Sequence, residues 1–319
     1  MPRLITSGHL LFIGDREGVG MNTKRKKKQR KEMLKFQSLL LPALILYILF
    51  VAIPFFTTFF FSITNYNKYH PIEYSIVGFR NYSQIFKMDM LKIAMGNSIR
   101  YALLMTFFQS LIAIPLAVIL NRKLRGRNVF RAAFFLPAMF SPLVMGFLWQ
   151  VMLGPAETGL INQLLMSFGA KPIGFLSSKH GLSSIIFTQV WQWVGWAVVI
   201  YLANLQTISE DMIQAAKIDG ASRFQIFSKI TLPLLYPGVT VVLVSSLVGG
   251  LKVYDIVQAM TGGGPGYATE TIIGAMIKVG FTEGNYSLAA AFGVVFFVLV
   301  MVFTMGLLGL LRKWEKGVS

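Results

Sequence analysis

"QAAKIDGASRFQIFSKITLP", residues 214–233, is polar and charged, yet long apolar runs flank it on both sides. Its residue pattern is that of two short helices and not of coil. Ser209 stands where a helix N-cap belongs, with Glu210 and Asp211 in the opening turn, facing the positive end of the helix dipole. Ile213, Ala216 and Lys217 then fall on one stripe. Gly220 supplies the left-handed conformation that ends a helix, and Ser222 starts a second one. Along it Phe224, Phe227 and Ile230 recur at helical spacing before Leu232 and Pro233 close it. Such an apolar stripe is satisfied either by docking on a partner protein or by lying along lipid headgroups.

The rest of the chain defines its solvent. Of 319 residues 55% are hydrophobic, only 13% are charged and none is cysteine, a balance that points to the bilayer. Without Cys there is no disulfide framework and no thiolate metal site, and His9, His70 and His180 are far apart, so no metal centre is expected. The net charge of +17 would suit nucleic acid, but eight of the 30 basic residues crowd between Lys24 and Lys35 beside the first apolar run. That placement anchors the cytoplasmic side of a membrane protein, and no nucleic-acid partner is expected. The run Leu10 to Ile13 is too short for a signal-peptide core and no A-x-A-like site follows, so no cleaved signal is expected; Met21 is a candidate start.

Roughly 20 apolar residues cross about 30 Å of hydrocarbon. Six segments meet that length, about 38–63, 98–120, 131–154, 182–206, 236–258 and 286–311. An even number places both termini on one side. The N-terminus, 121–130, 207–235 and the C-terminus are assigned to the cytoplasm because they carry most of the Lys and Arg. Arg122, Lys123, Arg125 and Arg127 lie in one short loop, and Arg312, Lys313 and Lys316 at the end. The opposite loops hold only scattered cations such as Lys68, Arg80, Lys171 and Lys278. The expected organisation is a basic N-terminal segment 1–37, a six-helix domain 38–311 containing the loop 207–235, and a tail 312–319. Prolines 42, 54, 115, 137 and 142 fall inside spans, either as tolerated kinks or as hinges around a moving cavity.

The opening stretch resembles the EAA loop of ATP-binding-cassette importer permeases: EAA, three residues, Gly, nine residues, then Ile-x-Leu-Pro. Ala215, Ala216, Gly220, Ile230, Leu232 and Pro233 match at the right spacing, while Gln214 replaces the usual Glu and loses its charge. The resemblance implies that this is a coupling helix docking on a separate ATPase subunit. It implies contact through Gln214, Ala215, Ala216, Asp219 and Gly220, and through Phe224, Phe227, Ile230, Leu232 and Pro233. The likeness continues along the six spans and into "MTGGGPGYATET", residues 260–271, which is similar to the outward loop after the fifth span in the sugar-importer branch. No Gly in the chain is followed by Lys, so this is not a phosphate loop. ATP and Mg are therefore expected on a partner ATPase, and no cofactor on this chain.

Two stretches could touch a solute. "VWQWVGW" puts Trp191, Gln192, Trp193 and Trp196 on the fourth span, and "SSLVGGLKVYD" puts Ser245, Ser246 and Asp255 among others on the fifth. Indole faces suit pyranose C–H faces, and amides, hydroxyls and ammonium groups can fix sugar hydroxyls. Resemblance to the maltose-permease branch implies substrate positions at Gln192, Trp193 and Trp196, at Ser246, Gly249 and Gly250, and at Lys252, Val253 and Tyr254. Each has another reading. The tryptophans suit an interfacial belt, the glycines close helix approach, and Lys252 with Asp255, three apart on one helix face, a mutual ion pair. A cationic wall at Lys252 would suit an acidic sugar.

The expectation is an all-α membrane protein, with six transmembrane helices and a cytoplasmic EAA coupling-helix loop, in the bacterial inner membrane. It would be the permease subunit of an ATP-driven sugar importer, a heterodimer with a second permease, joined by two ATPases and an extracytoplasmic solute-binding protein. Alternatives are the same importer carrying a glycerol phosphate, a secondary carrier, or a membrane-embedded enzyme. A carrier should show internal repeats and a coupling-ion carboxylate, and an enzyme a cluster of catalytic groups.

Overall fold

The computed structural model describes residues 40–69, 72–122 and 125–316. The basic stretch Lys24 to Lys35, with the rest of segment 1–37, Met21, His70, Lys123 and residues 317–319, lies outside them. The chain divides into two compact units after Thr57. The described residues are helical, with no strand beyond an isolated antiparallel bridge between Thr64 and Ile76.

Four helices are long and apolar enough to cross a membrane: α1 (Leu40–Ser62), α3 (Asp89–Leu120), α7 (Gly181–Leu205) and α13 (Tyr286–Lys316). In α1 a π-helical turn, Ile48–Ala52, precedes Pro54, and the Ile53 N–H reaches back to the Ile48 carbonyl. Widening the helix there accommodates a residue that cannot donate to the ladder. A short helix, α2 (Arg80–Ile85), leads into α3. The apolar run at 98–120 understated α3, which starts at Asp89, where the carboxylate sits in the first turn and pairs with Lys92.

One expected span is a bent pair, a second bent pair joins the end of the 207–235 loop to the start of the fifth span, and six spans result only if each pair is one crossing. In place of a single helix over 131–154, α4 (Arg127–Met139) and α5 (Pro142–Met152) meet at 96°. Pro142 at the first position of α5 forces Ser141 into extended backbone, and the Ser141 hydroxyl accepts from the Leu143 N–H to cap α5. After the loop helices α6 (Leu160–Ser167), then α7 and α8 (Glu210–Ile218), α9 (Arg223–Leu234) meets α10 (Tyr236–Leu251) at 65°. Pro233 does not close its helix. A π turn over Phe227–Thr231 precedes it, repeating the device in α1, and the helix runs on to Leu234.

The fifth span, expected to reach 258, stops at Leu251, and α11 (Asp255–Met260) starts anew. Gly249 and Gly250 each cost a helix interior about 1 kcal/mol, and the following Val253 and Tyr254 add little helical preference. The break overturns the pairing expected between Lys252 and Asp255. They share no helix face, and the ion pairs among the described residues are Asp89 with Lys92 and Glu270 with Lys278. A last loop helix, α12 (Ile272–Thr282), precedes α13.

The helices of the second unit, from Thr58 onward, approach to backbone contact at glycines. A Cβ at Gly250 would lie 2.7 Å from the Cα of Ala102, joining α10 to α3, while a Cβ at Gly195 would fall on the Phe134 carbonyl, joining α7 to α4. Close approach is thus the role of Gly250, whereas Gly249 faces open space.

Candidate functional site

A cavity of about 310 Å³ opens where α10 breaks. That volume lies at the small end of solute sites. One wall is α7, through Gln189, Trp193 and Trp196, whose spacing of four and three puts them on a single helix face. A second is the end of α10, through Ser246, Gly249 and Gly250, continuing through Lys252, Val253 and Tyr254 of the break. Because Gly249 has no Cβ and nothing within 4 Å, it leaves room at this wall. Eight of the nine residues expected at a solute site therefore surround one cavity. Gln192 does not join them. It is fully buried and its Nε2 donates to the Phe140 carbonyl at 3.0 Å, holding α7 to the break between α4 and α5. Trp191 also points away and meets Trp149 edge-on at 5.4 Å.

A third wall was not foreseen. Tyr101, Met105 and Gln109 face the cavity from α3, at helical intervals of four. That stripe, with Asn97, Tyr101 and Gln109 as its polar members, is a signal the sequence carries. Gln109, 1% exposed, donates from Nε2 to the Trp193 carbonyl at 2.9 Å and accepts at Oε1 from the Ser246 hydroxyl at 2.7 Å. One side chain thus ties three helices together. Tyr101 Oη, Gln189 Oε1 and Trp193 Nε1, in contrast, are buried and have no hydrogen-bond partner in the protein. Orphaned buried polar atoms cost about 1–3 kcal/mol each, so three around one cavity mark it as a place where polar ligand atoms are met.

At the other end of α7 and α10 lies the 209–233 segment, built as its residues dictate. The Ser209 hydroxyl accepts from the Asp211 N–H at 3.2 Å, and Gly220 takes φ +80°. The Ala221 N–H closes the turn on the Ala216 carbonyl at 2.9 Å. Ser222 and Gln225 form a reciprocal capping box. The apolar stripe divides: Phe227 and Ile230 are half-buried, Ile226 is buried, and Phe224 stands 76% exposed. Leu232 and Pro233 are half-buried and Ala216 likewise. Gln214, Ala215, Asp219 and Gly220 are exposed. Ile218, which the stripe did not include, is 86% exposed. Beneath these helices a groove of about 850 Å³ runs to the ends of α3 and α7 at Arg122 and Leu205.

The glycine-rich loop is a fastened turn. Gly262, Gly263 and Gly266 have positive φ, and the Asn97 amide donates to the carbonyls of Tyr267, Ala268 and Glu270. The carboxylate of Glu270, 2% exposed, fills the space left by Gly263 and Gly274 and pairs with Lys278. Lys278→Met strands a buried carboxylate and is expected to cost about 3 kcal/mol, the low end for a broken buried pair because Lys278 is partly exposed. Glu270→Gln combined with Lys278→Met should recover most of that loss. Thermal unfolding of the two variants in detergent checks it.

Among the described residues the chain is a helical bundle with broken spans around a largely apolar cavity that a few polar groups face. The chain belongs to the family described as binding-protein-dependent transport system inner membrane component, whose model matches residues 93–316. It is 32% identical to the trehalose/maltose transport system permease protein MalF of Thermococcus litoralis, over 89% of this chain and 95% of that one. It is 30% identical to the arabinooligosaccharides transport system permease protein AraP of Bacillus subtilis, over 83% and 84%. A chain in the crystal structure of a bacterial alginate ABC transporter, complexed with an alginate pentasaccharide-bound periplasmic protein, shares the fold. Its TM-score is 0.80 at 24% identity, covering 91% of this chain and 98% of that one.

Proposed function

We propose that this chain is the permease half of an ATP-driven importer that carries a sugar or oligosaccharide. The observation that carries the reading is the cavity at the α10 break, where Trp193 and Trp196 offer indole surface beside orphaned polar atoms. Apolar faces with a few converging hydrogen-bonding groups are what a pyranose requires. The family's transport role, with relatives named for maltose, trehalose and arabinooligosaccharides, supports it.

In this reading the basic ends, 1–37 and 312–319, and the loop 207–235 face the cytoplasm. The exposed pair Ile218 and Phe224, with the helix–Gly–helix turn between them, receives an ATPase subunit that holds ATP and Mg. A second permease completes the solute path, and an extracytoplasmic binding protein delivers the solute. The chain breaks no bonds itself. Alternating access would move solute from one face to the other as the ATPase dimer closes.

The test is uptake. The complex, purified through a tag on this chain and reconstituted into proteoliposomes with its binding protein, should accumulate radiolabelled maltose, trehalose or arabinotriose only when ATP is supplied inside. Accumulation of glycerol 3-phosphate, and of none of the saccharides, would replace the sugar reading.

A further inference from the structure

We propose that the Tyr101 hydroxyl is a hydrogen-bonding contact for the carried solute, and that this solute is uncharged. The inference rests on the importer reading and goes past it to a helix, α3, that neither the fourth-span nor the fifth-span stretch includes.

Tyr101 has no solvent exposure. It belongs to the same buried cluster as Met105, Val253 and Ile256, and it lines the cavity, yet its hydroxyl finds no partner. Tyrosine at such a depth ordinarily satisfies its oxygen. Tyr201, a hundred residues on, does so by donating to Ser110 at 3.0 Å. The polar neighbour on the same face of α3, Gln109, is already spent on Trp193 and Ser246, so it offers Tyr101 nothing. If the hydroxyl served packing alone, Phe would fill the same volume without the desolvation cost.

The class of solute follows from the other unpartnered atoms of residues that line the same cavity. Trp193 Nε1 is a donor, Gln189 Oε1 an acceptor, and Tyr101 Oη either. A sugar hydroxyl both donates and accepts, and so meets all three. A phosphate or carboxylate only accepts, and would leave the Gln189 oxygen facing lone pairs. The charged residues on the wall are one cation, Lys252, and one anion, Asp255, neither in an ion pair, so the wall carries no excess charge for an acid. With Asp255 on the same wall, Lys252 alone does not select a uronide.

The test is Tyr101→Phe in the reconstituted complex with ATP. The probes are maltose, trehalose, arabinotriose, glucuronate and glycerol 3-phosphate, and the variant's thermal unfolding is read in parallel. At least one of the three neutral saccharides should enter wild-type vesicles. Its maximal uptake rate should fall about five- to tenfold in Tyr101→Phe, the usual worth of one hydrogen bond. The unfolding temperature should be unchanged or higher. Equal uptake by variant and wild type would overturn the contact while leaving the importer reading intact. Uptake of glucuronate alone would overturn the uncharged class and leave a sugar as the cargo, whereas uptake of glycerol 3-phosphate alone, or of no probe, would overturn the sugar reading as well.

Discussion

Phe224→Glu is expected to leave the chain folded in the membrane and to strip it of its ATPase. The ring is 76% exposed, so its replacement costs little within this chain. At the proposed interface the same change removes an aromatic anchor and buries an unpaired charge. Each is worth several kcal/mol, enough together to lower co-purified ATPase and ATP-driven uptake by about a hundredfold or more. Gly220→Pro should act alike by another route, because Pro cannot adopt the φ of +80° that turns α8 into α9. Affinity purification followed by mass spectrometry reads both. Full retention of the ATPase by Phe224→Glu would mean that the segment lies on headgroups instead.

Gly195→Ala should have an effect of similar size on the fold itself. The added methyl lands on the backbone carbonyl of Phe134, and no side chain can move aside to admit it, so α4 and α7 must separate. Overpacking typically costs about 1–3 kcal/mol, and displaced backbone puts this site at or above the upper end. The Gln192 bond to Phe140, formed one turn away, would be lost with it. Gly306→Ala on α13 is the matched control. Nothing lies within 4 Å of its Cβ position, and the helix should gain about 1 kcal/mol from propensity. The yield of monodisperse protein from size exclusion and the unfolding temperature should therefore move in opposite directions for the two variants.

What was legible in the sequence was local. α7 and α13 follow their uninterrupted apolar runs, and the caps at Ser209 and Ser222 and the turn at Gly220 need only near neighbours to form. Hydropathy shows spans three and five as straight because it does not register direction. Ser141-Pro142 and Gly249-Gly250 carried the breaks, and the angle between the arms is set by packing against other helices. At the cavity, spacing could choose the stretch but not the face. Gln192 and Trp193 are neighbours in sequence and about 100° apart around the helix, so one clasps Phe140 and the other meets the cavity. The Glu270–Lys278 pair and the unpartnered state of the Tyr101 hydroxyl were hidden for a different reason, since burial and partnership there depend on segments distant in sequence.

The 65° elbow between α9 and α10 has a mechanical consequence. Leu235, 1% exposed, is the sole residue separating the two arms, and the polypeptide has no glycine there to yield. The pair is a crank. If the proposed ATPase docks at Phe224, a push there would cross the π turn at Phe227–Thr231 and then swing the long arm. With about 24 Å from elbow to tip at 1.5 Å per residue, ten degrees of swing sweeps the tip through about 4 Å. The tip is Gly249 and Gly250, the rim against which a solute would rest.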